Sequence, residues 1–438
     1  MDYTAAPAGH RPPPLKKRRR TSTTTVDALG NDVLSKIFAF LDLIQLIRCC
    51  AVCKSWSTVI NKLKLLQIQY HKQHRTGSAS SSDASSCSER FINMQMEQIA
   101  MDRQRLSLQK GPIDIFQWKG HSAGINQCRM KMGLILTGVG DKVMRLWSAE
   151  SCRGLDEYVL PDKAPLIDFD FDEGKIVGLV GSRIYIWRRI GTRDIFSSRD
   201  GLFTKGLCMR YVDPQAVVGC KDGRVRVFDL YSRKVSQIIK MHHGPVSSIS
   251  FTDEQLIVSG SSLGSISMSD LSSDQRVDTL GTASYTGGIK TLCLNPSSYL
   301  LFAGSSAGYA SCWDLRTMRS LWNTRVSPNA LYSMHHLRND KSTLVVGGID
   351  GVLRILDQDS GEVLSSCIME ENGNIYSRSR DRNIVIEKRR GIRLSEDDRI
   401  DLMPNRPPIA CLAVGMQKVV TTHSDRYVRV WKFRTDLW

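Results

Sequence analysis

Two segments of the chain match the Gly-x-Ser-x-Gly pattern of a serine nucleophile, which attacks a carbonyl carbon once a base activates it. They are Gly260–Gly264 and Gly304–Gly308. Both fall at the same place in a repeated unit, where other units have Gly-Cys-Lys-Asp-Gly or Gly-Gly-Ile-Asp-Gly, and neither opens a helix. A hairpin turn that needs glycine explains both matches. We therefore expect no serine nucleophile here.

Two other patterns could bind metal ions. Cys50–Cys53 and His71–His74 have the order of a zinc-finger ligand set, but the histidine spacing is one residue too short. Asp168–Asp172 imitates the start of a calcium loop, but Glu173 and Leu179 replace the Gly and Glu that the loop requires. An alternating strand explains this segment better. We expect no metal, no cofactor and no catalytic residue.

The 438 residues carry a net charge of +16, which is unevenly distributed. The first quarter of the chain contains a basic run, 16–20, which is typical of a nuclear import signal or a solubilising tail. No aromatic residues interleave with this run, so nucleic-acid binding is not expected. Twelve cysteines without a secretory signal indicate a reducing compartment, and no apolar run is long enough for a membrane span. We expect the nucleus, with the cytoplasm as the alternative.

The C-terminal three-quarters of the chain repeats with a period of about 42 residues. Each unit contains four short alternating segments separated by Gly- or Asp-Gly-bearing turns, which predicts an antiparallel sheet of four strands. One such sheet cannot bury both faces, so the sheets must stack around an axis. The third strand of each unit ends in an anchor residue: Trp147, Trp187, Phe228, Ser269, Trp313, Leu356 and Trp431.

The ends of this region predict how the ring closes. The last anchor, Trp431, is seven residues from the C-terminus, so the seventh unit lacks a fourth strand. Residues 113–118 alternate in polarity and can supply it. The final gap between anchors is about 32 residues longer than the others, which indicates an insertion at about 370–405. Arginines recur two positions before four of the anchors, at Arg145, Arg226, Arg354 and Arg429. They are expected to stack on the anchor or seal contacts between units; the alternative is a ligand-binding ring of arginines.

The repeats resemble the WD-repeat (WD40) family, whose period is the same. This resemblance implies a mainly β fold, a seven-bladed β-propeller. It also implies a buried hydrogen-bond network in the first unit, the best match to the family. Its members are His121, Thr137, Asp141 and Trp147.

Residues 27–72 predict a small unit of three helices whose apolar residues recur at helical spacing. Asn31 or Asp32 is placed to cap the first helix. They resemble the F-box, most specifically in the closing Val-Cys-x-x-Trp, although Gly30 replaces the usual Pro. The alternative is that these helices form a cap on the propeller and do not bind an adaptor. The resemblance implies that these residues form or support a surface for the Skp adaptor: Leu29, Leu34, Ile37, Phe38, Leu41, Leu46, Val52, Cys53 and Trp56.

The sequence thus divides into a disordered basic tail (1–26), an F-box (27–72), a Ser-rich linker followed by a helical spacer (73–110), and a propeller (111–438). The linker prediction rests on seven serines in residues 76–88. The spacer prediction rests on apolar residues between 89 and 110.

Together the two resemblances imply a non-catalytic substrate receptor of a Skp–cullin–F-box ubiquitin ligase. The F-box would bind the Skp adaptor and, through it, the cullin, while the propeller would bind an unknown protein marked for degradation. The alternative is a non-ligase scaffold that assembles a nuclear complex. The insertion is expected to be a basic loop, which suits an acidic or phosphorylated substrate. The alternative is a disordered, solvated insertion. Its candidate residues are Arg378, Arg380, Arg382, Lys388, Arg389 and Arg390.

Overall fold

The computed structural model describes residues 30–73, 81–138, 142–161, 164–190, 195–198, 206–272, 276–280, 287–370, 377–381, 384–395 and 406–434. They divide into two compact units, one within Met1–Ala100 and one within Met101–Trp438. Five helices precede the first strand: α1 (Asn31–Ala39), α2 (Leu43–Val52), α3 (Lys54–Lys62), α4 (Leu65–Gln73) and α5 (Ser81–Lys110).

The first unit is built around one apolar core. Phe38 is fully buried there, and its ring meets the Trp56 ring edge-on with centroids 5.3 Å apart. Asp42 is the N-cap of α2 and forms a capping box with Gln45. The Asp42 carboxylate accepts the Gln45 N–H at 2.7 Å, and the Gln45 side chain accepts the Asp42 N–H at 3.1 Å. Helix α4 adds Leu66 to the core. The sequence predicts three helices here, whereas the structure has four. Helix α4 was missed because its apolar residues lie near its start and form no continuous stripe.

Helix α5 begins at Ser81, inside the segment for which the serine content predicts a flexible linker. The helix predicted over 89–110 is confirmed, while the linker prediction is wrong from Ser81 onward; residues 74–80 lie outside the described residues. Serine is only about 0.5 kcal/mol less favourable than alanine in a helix, so a serine-rich stretch need not end one. Of the helices in the described ranges, none is long and apolar enough to cross a membrane.

The second unit consists mainly of antiparallel sheets. Its first strand is β1 (Ile113–Lys119). Five sheets have four strands each, paired in chain order. The first three are β2 (Gln127–Lys131), β3 (Leu134–Gly138), β4 (Val143–Ser148) and β5 (Gly154–Val159); β6 (Leu166–Phe171), β7 (Lys175–Val180), β8 (Arg183–Arg188) and β9 (Ile195–Ser197); and β10 (Gly206–Val212), β11 (Gln215–Cys220), β12 (Arg224–Asp229) and β13 (Lys234–Lys240). The next two are β14 (Val246–Phe251), β15 (Leu256–Ser261), β16 (Ile266–Asp270) and β17 (Arg276–Leu280); and β18 (Ile289–Asn295), β19 (Leu300–Ser305), β20 (Tyr309–Asp314) and β21 (Arg319–Arg325).

A sixth sheet has ten strands and includes β1. Its strand order is β22-β23-β24-β25-β27-β1-β30-β29-β28, and β26 pairs with β27 beside this path. The bounds are β22 (Leu331–His335), β23 (Thr343–Gly348), β24 (Leu353–Asp357), β25 (Val363–Met369), β26 (Ser377–Asp381), β27 (Ile384–Leu394), β28 (Ile409–Gly415), β29 (Lys418–His423) and β30 (Tyr427–Phe433).

The first strands of successive repeat units follow one another in space. We call β2, β6, β10, β14, β18, β22 and β28 the inner strands. Each contacts the next in this order, and β28 contacts β2, so their series is cyclic. The predicted repeat of four antiparallel strands is therefore confirmed, and the turns of the two Gly-x-Ser-x-Gly matches join the second and third strands. Gly264 and Gly308 have φ of +95° and +83° there, which explains the glycines.

Strand β1 closes the series of units. It pairs with β30 on one side, as predicted, and with β27 on the other, so that Ile115 lies opposite Trp431 and Arg389. Strand β27 also pairs with β25. The insertion was expected to be a charged loop, but residues 384–394 form a strand within the sheet. Its basic residues made this segment resemble a solvated loop, although apolar residues such as Ile386 alternate with them on the buried face.

The end of α5 packs on the ten-stranded sheet. Arg393 of β27 donates to the carbonyl oxygens of Leu108 at 2.8 Å and Gly111 at 2.7 Å. These carbonyls are left over where a helix ends, and a cation there also interacts favourably with the helix dipole. Gln104 hydrogen-bonds the backbone of Gly415 and Gln417. The insertion thus fastens the helix that precedes β1.

Replacing Ile115 with Ala tests the importance of the closing strand. Ile115 is fully buried, so we expect the free energy of unfolding of the β-sheet unit to fall by about 2–5 kcal/mol, measured by urea denaturation. Ile392→Ala, at an exposed position of β27, is the matched control and should cost less than 1 kcal/mol. Equal losses from the two variants would contradict the role given to β1.

Candidate functional site

Helices α1 and α2 each expose apolar side chains. Val33, Ile37 and Phe40 recur at i, i+4 and i+7, and they are 46%, 45% and 90% exposed. Ile44, in the first turn of α2, is 49% exposed. We call these four residues the α1–α2 apolar surface. Large apolar groups exposed together are typical of a binding surface.

The residues proposed for the adaptor surface differ in exposure. Ile37 and Val52 are exposed and can touch a partner. Leu29 lies outside the described residues. Of the others, three are buried and support the surface from the core, namely Leu34, Phe38 and Leu46, and three are partly buried, namely Leu41, Cys53 and Trp56.

Three residues of the apolar surface were missed by the sequence analysis: Val33, Phe40 and Ile44. The available signal was that apolar positions occupy more of the circumference of α1 than one core-facing stripe requires. Helical spacing alone cannot tell which stripe faces the core.

Gly30 stands at the N-cap of α1 with φ −61° and ψ 154°, and no atom would lie within 4 Å of a Cβ added there. This is the φ that a proline ring imposes. The predicted cap at Asn31 or Asp32 is wrong, because both residues are already helical. The backbone at Gly30 therefore does not require glycine.

Thr137 is the centre of a buried network in the first unit. Its Oγ1 lies 2.8 Å from both His121 Nε2 and Trp147 Nε1. Arg145 Nη1 lies 2.9 Å from His121 Nδ1. Because arginine can only donate, Nδ1 must accept and Nε2 must donate its proton to Thr137. Asp141, the fourth residue proposed for this network, lies outside the described residues.

A similar network lies in the last unit, and the sequence analysis missed its histidine because that residue comes from another position in the unit. Trp431 Nε1 donates to Thr421 Oγ1 at 2.9 Å, and His423 Nε2 lies 2.9 Å from the same oxygen. Burial lowers the pKa of His423 to about 3, so the ring is neutral. Both networks satisfy buried polar groups and have no geometry for a reaction.

The recurring arginines were expected to stack on the anchor residues or seal contacts between units. In the structure three of them instead pair with an aspartate four positions earlier. The N–O distances are 2.9 Å for Arg226–Asp222, 2.6 Å for Arg354–Asp350 and 2.6 Å for Arg429–Asp425. The aspartate lies in the turn before the strand, so each pair fixes that turn.

The basic candidates for substrate binding are not gathered in one loop. Arg378 and Arg380 lie on β26, and Arg382 lies outside the described residues. Lys388 Nζ is 3.0 Å from Asp114, and Arg389 is 3.7 Å from Glu387, so both are already paired. Among the candidates whose side chains are described, Arg390 is the exposed one.

The structure describes the two metal patterns to different extents, since His74 and the side chain of His71 lie outside the described residues. Asp168 and Asp170 lie on β6, as the strand interpretation predicts, and their carboxylates pair with Arg and Lys side chains. Cys53 Sγ accepts the Trp56 N–H at the start of α3. Within the described ranges, no group of His, Cys, Asp and Glu is arranged to bind a metal.

Comparison with known proteins adds family information to this geometry. A family model described as "F-box domain" matches residues 27–68. An F-box/WD-40 repeat-containing protein of Arabidopsis thaliana is 51% identical over 432 residues, covering 93% of this chain and 95% of that protein. The COMPASS component SWD3 of Saccharomyces cerevisiae is 26% identical over 150 residues, 34% of this chain and 47% of that protein.

A solved structure supports the fold alone. The crystal structure of the computationally designed Ika8 protein has a TM-score of 0.51 with this chain and 15% sequence identity. The match covers 72% of this chain and 97% of the designed protein.

Replacing Thr137 with Val tests the network of the first unit. The variant keeps the shape of the side chain but leaves the His121 and Trp147 donors without their acceptor, and each buried unsatisfied group costs about 1–3 kcal/mol. We expect the urea midpoint of the β-sheet unit to fall accordingly. Thr324→Val, on the partly buried outer strand β21, is the control and should change the midpoint little.

Replacing Gly30 with Pro should stabilise the helical unit. The native φ suits proline, so the substitution lowers the entropy of the unfolded chain and raises the free energy of unfolding by about 0.4–1 kcal/mol. Thermal unfolding followed by circular dichroism measures this. Gly30→Ala is the control without a fixed φ and should give no gain, since alanine is a poor N-cap. A lower unfolding temperature for the proline variant would contradict the backbone geometry.

Proposed function

The chain belongs to the F-box/WD-40 repeat-containing proteins, and from this membership we propose that it is the substrate receptor of a Skp–cullin–F-box ubiquitin ligase. The observation that carries the proposal is the α1–α2 apolar surface, which lies inside the residues matched by the F-box model. The Skp adaptor is the partner proposed for this surface, and the cullin would join through that adaptor.

The energetics of the apolar surface support a stable partner. Burying a side chain as large as Phe40 contributes about 1.5–3 kcal/mol. The core beneath it is well packed around Phe38 and Trp56, so the surface is rigid before binding and little free energy is spent on ordering it.

The β-sheet unit is proposed to be a seven-bladed propeller that binds the substrate. Seven inner strands in a cyclic series support this blade count. In this proposal the chain performs no chemistry itself. It holds the substrate beside the conjugating enzyme, so that transfer of ubiquitin to a lysine becomes effectively intramolecular.

An acidic or phosphorylated protein segment remains the substrate that we propose. Among the candidates with described side chains, the exposed Arg390 on β27 is available to it, whereas Lys388 and Arg389 would first have to leave their carboxylate partners. Arg378 and Arg380, on β26, stay candidates from the sequence. Nuclear import through the basic run 16–20 is part of the same proposal.

A second candidate function is a non-ligase scaffold in a nuclear complex. The observation that favours it is the similarity, over 150 residues, to a protein named as a component of the COMPASS assembly. In this case the propeller would hold proteins together without their degradation. The two functions differ in whether a bound protein accumulates when the proteasome is inhibited.

The double variant Ile37→Asp, Phe40→Asp tests the adaptor surface. Both side chains are exposed, so the fold should persist, but two charges would be buried against the adaptor at high cost. We expect recovery of the Skp adaptor in co-purification to fall more than tenfold. Leu155→Asp, at an exposed position of β5, is the control and should leave recovery unchanged. Undiminished recovery by the double variant, with its helical content intact, would refute the proposal.

A further inference from the structure

Two cysteines meet where the last repeat unit contacts the first. Cys128 lies on β2 and Cys411 on β28, the two inner strands whose contact makes the series cyclic. Both are free thiols of one core cluster, and Cys411 Sγ is 3.4 Å from the carbonyl oxygen of Cys128. The Cys128 thiol also hydrogen-bonds the Cys411 sulfur. Two thiols that are 283 residues apart in the chain are therefore neighbours in space.

Polar groups around Cys411 favour its thiolate form. Arg129 Nη1 is 3.7 Å from the Cys411 sulfur and Ser333 Oγ is 3.9 Å from it, so both can donate to a negatively charged sulfur. Asp168 holds the guanidinium group in place, since its Oδ1 is 2.7 Å from Arg129 Nη2. The hydrogen bond from Cys128 and then the charge of Arg129 lower the pKa of Cys411, although burial opposes them. The same hydrogen bond, with burial, raises the pKa of Cys128.

Cys152 and Cys208 show what burial alone does to a thiol of this unit. Both are buried, as Cys411 is, and burial raises the pKa of Cys152 to about 11 and that of Cys208 to about 12. Such thiols stay protonated at neutral pH, and a protonated thiol is a poor nucleophile. The opposite shift at Cys411 therefore comes from its contacts with Cys128 and Arg129.

We infer that Cys411 and Cys128 are a redox couple, which hydrogen peroxide converts to a disulfide that joins β28 to β2. The Cys411 thiolate attacks one peroxide oxygen and the O–O bond breaks, so that a sulfenic acid forms and the other oxygen leaves as water after taking a proton. The Cys128 sulfur then attacks the Cys411 sulfur. The S–S bond forms, the S–OH bond breaks, and the hydroxide leaves with the Cys128 proton as a second water. Two electrons pass from the two sulfurs to the peroxide.

The exposure of the two side chains agrees with this order of steps. Cys411 is 6% exposed and Cys128 is 0% exposed, so Cys411 is the sulfur that a small oxidant reaches first. Cys128 is then the resolving thiol, placed against the sulfur that it attacks. In a redox sensor, the reactive cysteine commonly has a low pKa and lies next to a resolving cysteine.

The disulfide would act on the whole series of units. It would join the first unit to the last across their non-covalent contact and would close a loop of 283 residues. A cross-link that closes a long loop restricts the unfolded chain, so we expect the oxidised protein to resist unfolding more than the reduced protein. In a reducing compartment such a bond is transient and forms when oxidant is present. This inference uses only the β-sheet unit and does not depend on the ligase proposal.

Peptide mapping of the full-length chain tests the couple. The folded chain is treated with hydrogen peroxide, its remaining thiols are blocked with N-ethylmaleimide, and it is digested without reduction. Mass spectrometry should find the peptide that contains Cys128 joined to the peptide that contains Cys411, and dithiothreitol should separate them. Cys152→Ser, which removes another thiol of the same core cluster, is the matched control and should leave this cross-link unchanged.

Two serine variants test the order of the steps. Cys128→Ser removes the resolving thiol, so Cys411 should accumulate as a sulfenic acid that dimedone labels. Cys411→Ser should leave Cys128 unlabelled, because nothing then converts its thiol to a thiolate at neutral pH. Labelling of Cys128 but not of Cys411 would contradict the roles given to the two sulfurs.

The wild-type chain alone is sufficient to overturn the inference. No Cys128–Cys411 cross-link after peroxide treatment of the folded chain would do so. The urea midpoint of the β-sheet unit should also be higher in the oxidised chain than in the same chain after dithiothreitol. An equal or lower midpoint in a chain that carries the cross-link would refute its stabilising role. Peroxide-treated Cys128→Ser should show no such increase.

Discussion

The fold of the β-sheet unit depends on how the backbone of its inner strands is satisfied. Each inner strand is the edge of its own repeat unit, so alternate N–H groups lack a strand partner. Side chains of the preceding unit accept them: Ser248 accepts the Leu292 N–H at 2.9 Å, and Ser333 accepts that of Leu412 at 3.0 Å. Asp168, Asp170 and His335 do the same for Met209, Tyr211 and Val414. These hydrogen bonds join successive units. In an open stack of sheets the same N–H groups would lack an acceptor.

The same constraint explains why charged residues lie around the axis. An aspartate that must accept a backbone N–H in the low-dielectric interior is costly unless a cation compensates its charge. Arg129 and Lys131 therefore accompany the aspartates of β6. The charged side chains on these strands are thus a consequence of joining the units.

Much of the fold could be predicted from the sequence because it depends on periodicity. The 42-residue repeat predicts four-stranded units, and alternation in residues 113–118 predicts the closing strand. Periodicity fails where composition is misleading. Residues 384–394 carry so many basic groups that they resemble a solvated loop, but they alternate in polarity and pair with three strands, β1, β25 and β26. His423 could not be found from the spacing of the repeat motif, because hydrogen bonding depends on position in space and not on order along the chain. In the helical unit, helical spacing identifies apolar stripes. It does not show that Leu34 and Phe38 face the core whereas Val33 and Phe40 lie on the surface.

The pairing of β1 with β30 has a consequence for synthesis of the chain. Ile113 lies opposite Phe433, so one of the first residues of the β-sheet unit meets one of the last. Contacts between such distant residues form slowly, because a very long loop must close. Until β27 and β30 have been synthesised, β1 has neither strand beside it, and the nascent arc of sheets has two open edges. Such edges pair readily with other chains. The period between synthesis of β1 and synthesis of β30 is thus the time at which the unpaired edges of this unit most need protection from other chains.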